Sequence, residues 1–197
     1  MFTTRCAGFL LLLALAAIPA STPARASIDT GSPNSAPTFS DQEWAAILRE
    51  IKVFANAKIS VRDAIEIAET RSHGARAVDV SFDGQADRLA YRVKTWRNDE
   101  LWQGTIDAST GKIFGEEVVT SVSTLDAKDK DELAGFRTAG VNLYDVLSIA
   151  ERFGKGKAVS AGLEEDEGRL IFLVVLVTAD GSLKQMSVTP GSEGNAP

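Results

Sequence analysis

The chain has 197 residues, a net charge of −6 at pH 7 and a single cysteine, Cys6. An acidic balance argues against nonspecific binding that rests on Lys and Arg, whether to nucleic acid by counterion release or to an anionic membrane surface. Beyond Cys6 there is no thiol, so disulfides, thiolate metal sites and a cysteine nucleophile are excluded there.

Residues 1–26 read as a secretory signal: Arg5, an apolar run from Ala7 to Ile18, and Ala24-Arg25-Ala26 before Ser27. The run is shorter than the about 20 residues of a membrane span, so no stable membrane insertion is expected after cleavage. Cys6 precedes the run, where a lipoprotein cysteine would follow it. Cleavage removes Arg5 and Arg25 and no acid, taking the net charge from −6 to near −8. Residues 27–38, rich in Ser, Pro, Gly and Thr, read as a disordered leader.

Order is expected from Phe39. Ser40 with Glu43 forms a capping box, Phe39 and Trp44 sit at staple positions, and Trp44, Ile47, Leu48 and Ile51 mark an apolar helix face. A second helix starts at Ser60, with Asp63 three residues on and Val61, Ala64, Ile65 and Ala68 facing a core. Strands follow over 77–82, 89–97, 101–107 and 113–119, separated by turn residues. A two-residue loop at Asn98-Asp99 pairs Tyr91 with Ile106, Val93 with Gly104 and Thr95 with Trp102 on the helix-facing side, leaving Arg92, Lys94 and Trp96 on the other. A helix over about 126–136 has Leu133 and Phe136 as its chief apolar residues. A further helix begins at Asn142, with Leu143, Val146, Leu147 and Ala150 as its stripe. The last hairpin turns at Ala179-Asp180-Gly181 and sets Phe172, Val174 and Leu176 beside Lys184, Met186 and Val188.

These elements repeat. Asp63 and Glu69 return as Asp145 and Glu151, 82 positions on, and Arg88-Leu89-Ala90-Tyr91 returns as Arg169-Leu170-Ile171-Phe172, 81 positions on. Two copies suit duplicated domains better than a solenoid. The fold class is therefore α+β, in two tandem modules, each a helix packed on a small antiparallel sheet: 39–120 with its preceding helix, and 121–197 with its own helix and a flexible C-terminal tail. The copies diverge where Arg92, Lys94 and Trp96 become Leu173, Val175 and Val177, and Ala90 becomes Ile171, which makes the second strand apolar on both faces.

The chain resembles the PepSY family, small modules found in peptidase propeptides and exported bacterial proteins. The resemblance rests on Ile59-Ser60-Val61-Arg62-Asp63-Ala64-Ile65-Glu66-Ile67-Ala68, on Tyr91-Arg92-Val93, and on Ile106-Asp107-Ala108-Ser109-Thr110-Gly111-Lys112-Ile113. It extends over the second copy, which departs at Val188-Thr189-Pro190-Gly191 and leaves a final strand there open. What it implies is a cystatin-like helix across an antiparallel sheet, no shared catalytic residue, and a role in restraining or assisting peptidases outside the cytoplasm.

His73, the only histidine, is read as a helix C-terminal residue; a Ser-His-Asp triad would have to use it, and no Gly-x-Ser-x-Gly elbow is present. The run Glu164-Glu165-Asp166-Glu167-Gly168 is read as a solvated hairpin tip before a calcium loop. No cofactor and no metal site is expected. The expected function is a noncatalytic, periplasmic or secreted binding module whose partner is a protein or peptide, a peptidase among them. A small-ligand or metal-sensing accessory protein is the alternative, and a hydrolase the third. The partner-binding residues are expected at Trp96, Arg92 and Lys94 or at Ile171, Leu173, Val175 and Val177. For Trp96, packing against the second copy is the competing reading.

Overall fold

A computed structural model describes residues 41–84 and 88–190. The signal and leader, the Ser40 cap with Phe39, and the tail beyond Pro190 lie outside the described residues, as does the side chain of Trp44. Helix α1 runs Asp41–Phe54, α2 Val61–Arg71, α3 Ala127–Thr138 and α4 Leu143–Gly154. The strands are β1 Arg76–Asp83, β2 Ala90–Arg97, β3 Glu100–Asp107, β4 Ile113–Ser121, β5 Gly156–Asp166, β6 Arg169–Thr178 and β7 Leu183–Val188.

The helix starts are set by the expected chemistry. Ser60 Oγ accepts the Asp63 N–H while Asp63 Oδ2 accepts the Ser60 N–H at 2.6 Å, a complete capping box. Asn142 Oδ1 accepts the Asp145 N–H at 2.8 Å, and Asp126 caps α3 in the same way. Val61, Ala64, Ile65 and Ala68 of α2 are buried, as are Leu143, Val146, Leu147 and Ala150 of α4. In α1 the buried face is rotated from the expected one. Ile47 is buried and Phe54 packs on Phe82 with ring centroids 5.1 Å apart, but Leu48 is 52 % exposed. At about 100° per residue, Leu48 lies well away from a face centred on Ile47, Glu50 and Phe54.

Both hairpins take the expected registers. Tyr91, Val93 and Thr95 pair with Ile106, Gly104 and Trp102. Phe172, Val174 and Leu176 pair with Val188, Met186 and Lys184. The acidic run is the β5–β6 hairpin tip, turning at Glu167 and Gly168 with φ of 49° and 76°.

All seven strands form one antiparallel sheet in the order β4-β3-β2-β1-β5-β6-β7. The two halves meet at β1 and β5, where Asp79 pairs with Gly162, Val80 with Ala161 and Ser81 with Ser160. At the 81-residue spacing Ala161 is the counterpart of Val80, so the halves are related by a local two-fold axis through that pair. Other features obey the same axis. Arg62 lies over the ring of Tyr144, its own counterpart, at 5.6 Å. Each opening strand shifts register, between Ala77 and Asp79 and between Ala158 and Ser160, a bulge that frees one N–H from the ladder. A helical glutamate satisfies it in both halves: Glu69 Oε1 accepts from Ala77 N at 2.7 Å, and Glu151 Oε1 from Ala158 N at 3.0 Å. Glu151→Ala should therefore lower stability in urea by about 1–2 kcal/mol, and Glu151→Gln, which keeps an acceptor, by under half of that. Equal losses in the two variants would mean that charge, and not the acceptor, is what the bulge needs.

Candidate functional site

The residues expected to bind a partner lie on one side of the sheet but do not form a bare patch. Arg92 donates to Asp83 Oδ2 from Nη2 at 2.6 Å and from Nε at 2.9 Å. Lys94 stands beside its cross-strand neighbour Asp79, whose carboxyl burial pushes up and Lys94 pulls down. Trp96 is half-buried and meets Phe136 edge-on at 6.4 Å. Of the competing readings of Trp96, packing is the one this contact represents, through the helix that leads into the second half. Val175 is only 6 % exposed; Ile171, Leu173 and Val177 are half-buried. Their cross-strand neighbours are Glu164, Gly162, Ser160 and Lys157 of β5 and Ser187, Gln185 and Leu183 of β7, so apart from Leu183 the apolar column is flanked by small and polar residues.

Phe136 ties these pieces together. Its ring is edge-on to Trp96 of β2 and to Phe172 of β6, the latter at 6.0 Å, and the Arg76 guanidinium stacks 3.9 Å above it. Arg76 also donates to the Val141 carbonyl at 2.6 Å, holding the α3–α4 turn. Beside it, Lys128 of α3 bridges Glu132 at 3.2 Å and Glu164 of β5 at 2.6 Å. Burial pushes the Glu132 carboxyl up to about 7 against the pull of Lys128, with Glu164 and Asp129 adding to the rise.

On the α2 side, a cleft of about 320 Å³ lies past the helix C-terminus, lined by Arg71, Ser72, Thr95, Arg97, Trp102 and Val119 among others. Thr95, Trp102 and Val119 are consecutive cross-strand partners, so they form one row reaching edge strand β4. The Trp102 indole lies across Gly104; a Cβ there would sit 2.2 Å from the ring. Its N–H donates to Glu117 Oε2 at 2.8 Å, the same oxygen that pairs with Arg71 Nε at 2.5 Å, and Arg71 stacks on the indole at 4.9 Å. Arg97 donates to Ser72 Oγ at 3.1 Å. The sequence reading passed over this constellation because Trp102 occupies a helix-facing position that reads as core. The signal present was Gly104, two residues on along the same face, which leaves room for an indole to lie down.

Among the described residues no group of three or more His, Cys, Asp or Glu is placed to hold a metal, and no helix is long and apolar enough to cross a membrane. His73 is exposed, just past the end of α2.

Comparison with curated proteins finds no match. Among solved structures, a Clostridium difficile 630 protein described provisionally as a lipoprotein is similar at 18 % identity over 66 % of this chain and 93 % of its own, with a TM-score of 0.37. The family described as Peptidase propeptide and YPEB domain matches residues 58–117, from the α2 cap to the β4 bulge that carries Glu117. The helix, the bulged first strand and the Asp107–Lys112 turn all fall inside the stretch, residues 58–117, that the PepSY family model matches.

Proposed function

We propose that the protein is an exported, noncatalytic binding module that engages a segment of another extracytoplasmic protein and, through it, modulates a peptidase. The observation that carries this reading is the match of residues 58–117 to PepSY, a family described by its occurrence in peptidase propeptides. We also infer that residues 121–190 are a second copy of the module. The dyad through Val80 and Ala161 and the matching Glu69 and Glu151 contacts support it.

The test uses protein spanning residues 27–197, immobilised and exposed to native extract, alongside an assay of a thermolysin-like peptidase with added protein. The expected result is recovery of a peptidase whose activity changes in proportion to added protein, with no hydrolysis by the protein alone. Recovery of no specific partner, together with an unchanged peptidase rate, would overturn the proposal.

A further inference from the structure

We propose that edge strand β4 and the Arg71–Arg97 cleft form one docking surface for an extended peptide segment that carries an acidic side chain. The inference rests on the binding-module reading and assigns it a place and a partner chemistry. Among the described residues β4 is the outermost strand on its side of the sheet, and no further strand pairs with its outer ladder. Its first half is guarded in the usual manner of edges, by a bulge at Gly115 and by Glu116 and Glu117. The second half, Val118 to Ser121, pairs regularly with Glu100 to Gln103 and carries no Lys or Pro; Val118 is 40 % and Val119 59 % exposed. The opposite edge, β7, presents Lys184 and is followed by Pro190.

The cleft tells what the added strand should carry. A strand paired with β4 continues the row Thr95–Trp102–Val119, so its residue beside Val119 points into the cleft from the open side. The charged side chains lining it are Arg71, Arg97 and Glu100. Glu117 is engaged by Arg71 and the Trp102 indole. Arg97 is exposed, has a hydroxyl partner in Ser72, and makes no ion pair among the described residues. Its cross-strand neighbour Glu100 also lines the cleft without forming an ion pair with it, and a cleft-lining guanidinium that has only a hydroxyl partner matches a carboxylate brought by the added strand.

The probes are two blocked heptapeptides, Thr-Val-Thr-Glu-Thr-Val-Thr and its Gln counterpart, titrated into ¹⁵N-labelled protein. The Glu peptide should shift the amides of Val118 to Ser121 and the Trp102 indole N–H, and bind about tenfold more tightly than the Gln peptide. Arg97→Ala should abolish that preference without moving the thermal midpoint, and Val119→Glu should weaken the Glu peptide selectively. No shift at about 1 mM peptide overturns the proposal. Shifts confined to Ile171, Leu173, Val175 and β7 also overturn it, while leaving the binding-module reading standing. Shifts of Val118 to Ser121 that follow protein concentration alone give the edge to a second copy of the chain and equally overturn it.

Discussion

Phe136→Ala should cost about 3–5 kcal/mol of unfolding free energy, the range for deleting a fully buried aromatic side chain. The ring is 0 % exposed and is shared by Trp96 and its cross-strand neighbour Arg76 of the first half and by Phe172 of the second. The pairing of β1 with β5 spans residues 79–81 and 160–162, and this side-chain junction adds to it, as does Arg62 of α2 through Glu151 and Ser148 of α4. Phe136→Leu keeps most of the volume but loses the edge-on contacts and the stacked cation, and should cost about 1–2 kcal/mol. Urea unfolding followed by circular dichroism measures both. A loss below about 1 kcal/mol for alanine would mean that the neighbours close over the gap, and that Phe136 does not tie the halves.

Glu132→Gln should stabilise the protein by about 2 kcal/mol at about pH 8 and by nearly nothing at about pH 4. The folded protein holds this carboxyl at about 7, above its ordinary value of 4.5, because burial disfavours the charge more than Lys128 favours it. Below 4.5 both folded and unfolded chains carry the proton and there is no penalty. Between 4.5 and 7 the unfolded chain ionises first, so stability falls as pH rises, and above 7 the full penalty remains. Asp129 and Asp79 are pushed up as well, Asp129 by burial and by Asp126 and Asp79 by burial, with Lys94 opposing both. The pH dependence of the wild type therefore combines several groups, and the difference between wild type and variant isolates Glu132. Lys128 keeps Glu164 at 2.6 Å in the variant, so no cation is stranded. A difference that does not change with pH would show that Glu132 ionises in the folded protein as it does in the unfolded chain.

What could be read from the sequence was what local spacing encodes. Ser60 with Asp63 and Asn142 with Asp145 announce their helices because a cap needs only three residues, and the hairpin registers follow from loop length and alternation. Phe136 and Leu133 were legible as the apolar residues of α3, and both are buried. The joining of the halves through β1 and β5 was not legible. Ser160, Ala161 and Gly162 allow a close strand neighbour, but small residues do not say which strand it is. The same limit hid the state of the expected binding face: Arg92 is held by Asp83 nine residues earlier, and Trp96 by a ring forty residues later. The Arg71–Trp102–Glu117 cluster was hidden for a related reason, since its members come from a helix end, a central position of β3 and a bulge on β4.

The self-matching of Val80 with Ala161 has a consequence for ancestry and for engineering. A join in which a residue meets its own counterpart is as well made between two polypeptides as within one, so under the proposed duplication a single copy would expose at its first strand a border suited to a sibling copy. Fusion of such a pair would have converted a concentration-dependent association into a permanent one, freeing the two outer borders to diverge.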